Sequence, residues 1–341
     1  MKQHLVVILP ALNEERTIES VITSIPKTMP GISRMSVIVV NDGSIDKTAE
    51  ISRNAGALVI SHAQPMGVGA AFHTGIKEAL QLGADLIVNI DADGQFNPED
   101  IPHLLAPIQQ GKAEFVTASR FAKQEYMPQM PAIKIWGNRW MVRIINFITS
   151  KNFTDVSCGF RAYSREAALR LTLFGKFTYT QESFIDLAFK GIAMTEVPLI
   201  VRGEREHGVS RVASNLWRYG AKSATIIFRA ARDHKPFYFV GFPGLIILIA
   251  GIAVGIFVVQ HYVATGQTYP YRSLVTGSGV LLIIGFLLLV ISLLADMIHR
   301  SRMAIEEVLY LARKNAYSIP LTPACPAGRP PLSPSRERAV E

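Results

Sequence analysis

Two carboxylates one residue apart, Asp91 and Asp93, directly follow the apolar run Leu86–Ile90. A carboxylate pair at the end of a buried strand can hold Mg²⁺ or Mn²⁺, because these cations prefer oxygen ligands. Such an ion can neutralise the crowded charge of a diphosphate and the further charge of a departing leaving group. Gly94 allows a ligand to approach closely. The segment therefore predicts a metal and diphosphate site, and the alternative is a turn that caps a helix beginning near Pro98.

A second polar motif, Asn41–Thr48, lies where a predicted strand turns into a helix. Asp42 can accept hydrogen bonds from a base or a ribose, and Gly43 permits a tight turn. Asp46 can cap the following helix, and this capping role alone explains part of the motif. The segment Gly67–Gly69 resembles a phosphate-binding loop, but a helix entry explains two glycines equally well. These motifs favour a nucleotide site in the first half of the chain.

Short apolar runs alternate with helical patterns over the first part of the chain. The patterns predict strands over residues 5–9, 36–40, 57–60 and 85–90, and helices over residues 14–25, 46–55 and 68–82. This alternation is typical of an α/β fold with a doubly wound, mostly parallel sheet. Ligands bind such sheets beyond the carboxyl ends of the strands. Because Asn13–Glu14, Asn41–Ser44 and Asp91–Asp93 each follow a strand, we expect them to meet at one edge.

Residues 237–262 and 273–298 are almost uncharged, and each stretch exceeds the ~20 residues that a membrane helix needs. The short loop Gly266–Arg272 joins them, so they form a predicted transmembrane hairpin. Basic residues flank the outer ends of the hairpin, whereas the loop carries only Arg272. The positive-inside rule then places the soluble domain on the cytoplasmic side of an inner or plasma membrane.

Residues 212–235 have a basic face opposite an apolar face, next to the first predicted span. This pattern favours a helix lying in the membrane interface, and an ordinary surface helix is the alternative. Residues 132–150 have a similar composition. The chain carries a net charge of +8, and the adjacent spans favour an anionic membrane surface over nucleic acid as its partner. A helix is predicted over residues 299–318 and disorder over the Pro-rich residues 319–341.

Six motifs occur in an order that resembles the family 2 glycosyltransferases, in particular the dolichyl-phosphate mannose synthase-like, polyprenyl-phosphate branch. They are Pro10–Glu14, Asn41–Ser44, Asp91–Gln95, Ala118–Arg120, Asp155–Arg161 and Arg205–Arg211. The resemblance covers about residues 4–215 and implies a GT-A catalytic domain over residues 1–211. It further implies an inverting transfer of a hexose, of mannose or glucose type, from a UDP- or GDP-sugar to undecaprenyl or dolichyl phosphate. Such lipid-linked sugars serve cell-envelope glycan synthesis.

The resemblance also assigns roles to individual residues. The implied nucleoside contacts are Pro10, Glu14 and Asp42, and the implied ligands of Mg²⁺ or Mn²⁺ are Asp91, Asp93 and Gln95. The implied catalytic group comprises Arg120, Asp155, Arg205 and Arg211, and the implied acceptor-phosphate contacts are Arg139, Arg205, Ser210 and Arg211. Asn41 stands where the family usually has aspartate. Arg211 stands where the family usually has lysine, and this exchange keeps the positive charge but changes the geometry of the N–H groups that donate hydrogen bonds.

The chemistry of a phosphate acceptor is consistent with this abundance of arginine. A sugar hydroxyl needs a general base, but a lipid monophosphate is already anionic near neutral pH because its second pKa is about 6. Positive charge then matters more than a base, and Asp155 is expected to orient rather than deprotonate. Glu182 and Asp186 lie where other members of the family place a base, or else they are exposed polar residues of a helix.

Two other functions compete with this interpretation. A processive polysaccharide synthase is expected to carry Gln-x-x-Arg-Trp and more spans, yet the only Arg-Trp pair here is Arg139–Trp140, which precedes Asp155. A non-catalytic membrane binding protein is disfavoured by the intact Asp91–Gln95 segment. The sequence is compatible with a homo-oligomer.

Overall fold

A computed structural model describes residues 3–127, 132–172, 179–202, 225 and 237–317. Its seven strands form one sheet in the order β3-β2-β1-β4-β6-β5-β7. The strands are β1 (Gln3–Ala11), β2 (Ile32–Asn41), β3 (Leu58–Ser61), β4 (Leu86–Asn89), β5 (Phe115–Ser119), β6 (Arg161–Ser164) and β7 (Met194–Pro198). The helices of the same region are α1 (Ile18–Thr23), α2 (Thr48–Asn54), α3 (Val68–Gln81), α4 (Ile101–Gln109), α5 (Ala132–Thr149), α6 (Arg165–Arg170) and α7 (Thr180–Phe189).

The first four strands are mutually parallel, as the alternating pattern predicts. Strand β1 is apolar at successive positions because both of its faces are covered. Leu5, Val7 and Leu9 enter one hydrophobic cluster, whereas Val6 and Ile8 enter the cluster on the other face. The predicted doubly wound, mostly parallel sheet is confirmed.

The second half of the sheet contains one reversed strand. Strand β6 runs antiparallel to both of its neighbours, β4 and β5, while β5 and β7 are parallel. The register pairs Asn89 at the end of β4 with Arg161 at the start of β6. The segment before β6, residues 155–160, therefore reaches the carboxyl end of β4, where the carboxylate motif begins.

Two long apolar helices follow the domain: α8 (Phe242–Thr265) and α9 (Arg272–Ala316). Both are long and apolar enough to cross a membrane, and most of their residues are exposed. They pack closely through glycines, since a Cβ at Gly285 would lie 2.5 Å from the Leu248 amide nitrogen. The separate helix predicted over residues 299–318 is instead the continuation of α9, because its sequence contains no helix-breaking residue between residues 298 and 316.

The final third of α9 packs against α6 of the α/β domain. Tyr310 donates a hydrogen bond to Glu166 at 3.0 Å, and the Arg170 guanidinium lies 4.0 Å from the Tyr310 ring centroid. Arg313 donates to the Leu171 carbonyl oxygen at 2.7 Å. One helix thus joins the apolar hairpin directly to the α/β domain.

The two predicted interfacial segments have different outcomes. Helix α5 packs on the domain through Val142, Ile145 and Ile148. It also exposes the apolar side chains Trp136, Trp140, Ile144 and Phe147. The basic segment over residues 212–235 lies outside the described residues apart from residue 225, and so does the predicted disordered tail.

Candidate active site

The loops that follow β1 and β2 are joined by hydrogen bonds. The Asn13 amide donates to Ser44 Oγ, the Ile45 amide donates to Asn13 Oδ1, and the Glu14 amide donates to Thr48 Oγ1, each at 2.9 Å. Parallel pairing of β1 with β2 brings the two loops to the same edge of the sheet. The structure therefore brings together the segments that contain the predicted nucleoside contacts Pro10, Glu14 and Asp42.

Asp42 is buried and already has protein donors. Its Oδ1 accepts from the Met66 amide at 2.9 Å and lies 2.7 Å from His62 Nδ1, while its Oδ2 accepts from the Gly67 amide at 2.8 Å. A nucleoside bound here must share a carboxylate oxygen with these groups. His62 also contacts Thr74 through Nε2. Gly67 is the N-cap of α3 and its amide is bonded to Asp42, as a helix entry would have it.

The Asp91–Gln95 segment follows β4 and is fixed from several sides. Asp93 is buried and accepts a hydrogen bond from the Gln95 amide at 3.1 Å. The Thr17 hydroxyl donates to the Ala92 carbonyl oxygen at 2.8 Å. The Asp91 carboxylate rests against Gly159, because a Cβ at this glycine would lie 2.5 Å from Asp91 Oδ2. Only glycine leaves room for the carboxylate at this position.

The donor set of this segment suits Mg²⁺ or Mn²⁺. Asp91 and Asp93 supply carboxylate oxygens and Gln95 an amide oxygen, which are hard ligands. Among the residues that the structure describes, no group of three or more His, Cys, Asp and Glu side chains converges on one point. Two carboxylates suit an ion whose other ligands are phosphate oxygens and water, as is usual for Mg²⁺ in phosphate chemistry.

Arg120 and Asp155 form a bidentate ion pair. Arg120 Nε donates to Asp155 Oδ2 at 2.6 Å, Nη2 donates to Oδ1 at 3.0 Å, and Nη2 also donates to Ser157 Oγ at 2.6 Å. Burial opposes ionisation of Asp155, but the Arg120 charge and hydrogen bonds outweigh it and hold the pKa of Asp155 below its usual value. A lowered pKa makes this carboxyl a weaker general base. Its geometry is that of a residue that orients Arg120.

Of the predicted contacts to the acceptor phosphate, the structure describes only Arg139. Arg139 is exposed on α5, next to Asn138, whose Oδ1 accepts from Ser157 Oγ at 3.0 Å. Arg205, Ser210 and Arg211 lie outside the described residues. Arg202, the last residue described before them, lies beside the carboxylate motif, because its amide donates to the Gln95 carbonyl oxygen at 3.0 Å.

Asp186 faces α9 rather than the carboxylate edge. It accepts hydrogen bonds from the Thr172 amide at 2.9 Å and from Lys190 Nζ, and Lys190 also lies 3.3 Å from Glu306 of α9. Burial raises the pKa of Asp186 to about 6. These contacts indicate a structural role for Asp186. Glu182 lies in the first turn of the same helix and stays a predicted base.

Sequence reasoning missed two buried groups beneath the carboxylates. Asn89 Nδ2 donates to the Gly159 carbonyl oxygen at 2.9 Å and contacts the Tyr179 hydroxyl at 2.7 Å. Burial, followed by the nearby Asp91 charge, raises the pKa of Tyr179 well above its usual value. The available signal was an asparagine inside the apolar run that forms β4, since a buried amide needs partners.

Comparison with known proteins agrees with this architecture. The family model described as Glycosyl transferase family 2 matches residues 6–172. The dolichyl-phosphate hexose transferase of Haloferax volcanii is 32% identical over 200 residues, covering 58% of this chain and 82% of that protein. Glycosyltransferase AglJ of the same organism is 28% identical over 307 residues, covering 89% of this chain and 97% of that protein.

A solved structure shows the same fold. Glucosyl-3-phosphoglycerate synthase from Mycobacterium tuberculosis, in complex with Mn²⁺, UDP and glucosyl-3-phosphoglycerate, superposes with a TM-score of 0.51 at 25% identity. The match covers 67% of this chain and 80% of that one. The sheet, the ordered motifs and the relatives lead to one conclusion: this chain belongs to the family 2 glycosyltransferases.

Proposed function

We propose that this protein is a membrane-bound enzyme that transfers a hexose from a nucleotide-diphosphate sugar to polyprenyl phosphate. The observation that carries the proposal is the path of α9. This helix of 45 residues is about 67 Å long at 1.5 Å per residue, about twice the ~30 Å hydrocarbon thickness of a bilayer. Its extra length ends in contacts with α6 and α7. These contacts attach the α/β domain that carries the proposed diphosphate site directly to the apolar hairpin.

The exposed face of α5 supports contact with the membrane surface. Trp136, Trp140 and Phe147 are spaced along one face, and their side chains are 59%, 49% and 85% exposed. Arg139 and Arg143 are exposed beside them. Aromatic rings next to arginines are typical of helices in the interfacial layer of a bilayer. This arrangement supports the proposal that the domain rests on the membrane near its acceptor.

Asp91, Asp93 and Gln95 are the proposed ligands of Mg²⁺ or Mn²⁺. When bound, the ion would neutralise charge on the diphosphate of the donor. The Gly159 surface and the Gln95 amide hold the two carboxylates in place before any ligand arrives. The solved relative that contains Mn²⁺ and UDP supports the use of a divalent cation by this fold.

Positive charge, rather than a base, is the proposed means of accepting the lipid phosphate. Asp155 holds the Arg120 guanidinium in a fixed orientation, so Arg120 loses little freedom when it meets an anion. Arg139, Arg205, Ser210 and Arg211 stay proposed acceptor contacts. Because the acceptor is already anionic, no proton has to be removed before it attacks. A single displacement with inversion at the anomeric carbon is the outcome expected for this family.

The proposed orientation places the catalytic domain in the cytoplasm. Basic residues lie at the outer ends of the hairpin, and the connecting loop carries only Arg272. A cysteine introduced at residue 268 should react with an impermeant reagent in intact cells. A cysteine at residue 330 should react only after permeabilisation. The reverse pattern would contradict the orientation.

The activity is tested by incubating the purified full-length chain with UDP- and GDP-hexoses, polyprenyl phosphate and Mn²⁺ or Mg²⁺. The expected product, identified by mass spectrometry, is a lipid phosphate that has gained one hexose. Successive addition of many hexoses would instead indicate a polysaccharide synthase. Nucleotide-sugar binding without turnover across the whole panel would contradict an enzymatic role.

A further inference from the structure

Arg161 is a fully buried cation whose described hydrogen bonds all go to neutral oxygens. Nε donates to the Cys158 carbonyl at 2.8 Å, and Nη2 donates to the Val156 carbonyl at 3.1 Å. Nη1 donates to the Thr180 carbonyl at 2.8 Å and to Ser183 Oγ at 2.6 Å. A buried charge usually has a carboxylate partner, and none lies within ion-pair distance among the residues described here. Its bonds therefore serve the backbone that they reach.

That backbone is the irregular segment over residues 155–160. It belongs to no strand or helix, so its carbonyls depend on donors from elsewhere. The Phe160 carbonyl accepts from the Ala118 amide, and the Gly159 carbonyl accepts from Asn89. Arg161 binds two of its carbonyl oxygens and ties them to the first turn of α7. Only a guanidinium offers enough donors in a rigid plane to reach both segments at once.

The same segment carries a site residue near each end. Asp155, at the start, holds Arg120 through two hydrogen bonds. Gly159, near the end, forms the surface against which the Asp91 carboxylate rests. A shift of the segment would therefore move the metal-binding carboxylate and the phosphate-binding arginine together.

We propose that Arg161 is a positioning residue that sets the distance between the Asp91–Asp93 metal site and Arg120. This inference rests on the proposed metal-dependent transfer. The competing explanation is that Arg161 only fills the core beside Phe115, Tyr179 and Phe184, whose ring centroids lie 5.6, 5.8 and 4.8 Å from its Cζ. A side chain of similar length without donors separates the two explanations.

The test compares Arg161→Met and Arg161→Lys with the control Arg165→Met in the full-length protein. Arg165 also donates to backbone carbonyls, those of Ala84 and Tyr317, but it does not touch the segment over residues 155–160. A Cys325→Ser background leaves Cys158 as the single thiol, since the chain has two cysteines. Cys158 is fully buried within the segment, so a thiol reagent reaches it only when the segment opens. The rate of this reaction therefore measures how often residues 155–160 leave their packed position.

Both Arg161 variants should increase the Cys158 reaction rate by about tenfold or more at a temperature where the protein is folded. They should also raise the Mn²⁺ concentration needed for UDP or GDP binding by about 10- to 100-fold, as loss of an outer-shell partner does. Arg165→Met should change neither. Wild-type values in folded Arg161→Met and Arg161→Lys would overturn the proposal, because core filling alone would then suffice.

Ser183→Ala keeps the proposal testable if the Arg161 variants do not fold. It removes one of the four described hydrogen-bond acceptors of Arg161. The Cys158 reaction rate and the Mn²⁺ concentration needed for nucleotide binding should both rise, by less than in the Arg161 variants. Unchanged values of both would contradict the positioning role of Arg161. If the nucleotide affinity of the wild type did not depend on the Mn²⁺ concentration, the proposed function would be contradicted. The Cys158 reaction rate would still test, independently of metal binding, whether Arg161 holds residues 155–160 in position.

Discussion

The carboxylate edge of the sheet and the contact between α7 and α9 both contain buried aspartates. The aspartates of the two regions differ in their bonding partners. At the edge, Asp93 is held by a backbone amide and Asp91 by a glycine surface. At the helix contact, Asp186 is paired with Lys190, which also meets Glu306. In the proposed function the first pair of carboxylates binds a metal ion, whereas Asp186 in the second region is bonded to groups of the protein itself. Proximity in sequence to a catalytic motif therefore does not identify a catalytic carboxylate.

The largest effect should come from exchanging one carboxylate in each region. Asp93→Asn should reduce turnover by about 100-fold or more, because a neutral amide is a poor ligand for a cation that supplies several kcal/mol. The melting temperature should change little. Asp186→Asn should keep turnover within about twofold of the wild-type value, because Asp186 does not contact a substrate in the proposed function. Equal losses of turnover in the two variants would remove the distinction between the regions.

Gly159→Ala should have the next largest effect. Its Cβ would lie 2.5 Å from Asp91 Oδ2, so the carboxylate must move away from its seat. We expect turnover to fall by about 10- to 100-fold, as for other disturbed supports of a metal ligand. Gly137→Ala on α5 is the control, because no atom lies within 4 Å of its added Cβ. Full activity of Gly159→Ala in a steady-state assay would show that the glycine surface is dispensable.

The α9 contact should affect stability more than chemistry. Arg313→Ala removes hydrogen bonds to the Leu169 and Leu171 carbonyls. The free energy of unfolding should fall by about 1.5–3 kcal/mol, the usual value for a hydrogen bond from a charged group. Nucleotide affinity, measured by calorimetry, should be unchanged. The control Glu307→Gln breaks only an exposed pair with Arg170 and should cost less than about 1 kcal/mol.

The smallest predicted effect is a pH dependence. Folded Asp186 keeps its proton up to about pH 6, whereas unfolded aspartate loses it near pH 4. The folded state then binds more protons in this window, so the contribution of Asp186 to stability is largest below pH 4 and is lost as the pH rises. Between pH 5 and 7 the loss should be about 1 kcal/mol. Thermal unfolding of the wild type minus that of Asp186→Asn should show this slope; a difference that is flat in pH would contradict it.

Local patterns predicted the first four strands and the meeting of three motifs, because parallel strands deliver their carboxyl ends to one edge. Gly43 illustrates the point: its φ of 76° is the conformation that the predicted tight turn requires. The reversed strand β6 had no local signal, since its direction depends on pairing with β4 and β5. The bonds of His62 to Asp42 and of Arg161 to residues 156–158 likewise arise only from packing.

The length of α9 could not be predicted from the local sequence pattern either. Basic residues from His299 onwards mark the end of the apolar stretch, and they suggested the end of a helix as well. Helix propensity continues across them, and contacts with α6 stabilise the extension. The charge pattern thus located the predicted membrane boundary, whereas tertiary contacts decided the length of the helix.

The most direct test of the central claim follows the lipid product during removal and return of the metal. Full-length protein in lipid vesicles receives a hexose donor from the active UDP or GDP series, polyprenyl phosphate and Mn²⁺, and hexosyl lipid phosphate is measured by mass spectrometry. Product formation should stop on addition of EDTA and resume when excess Mn²⁺ is restored, and Asp93→Asn should give no product in either state. An undiminished rate of product formation in EDTA would contradict a metal-dependent transfer at this site.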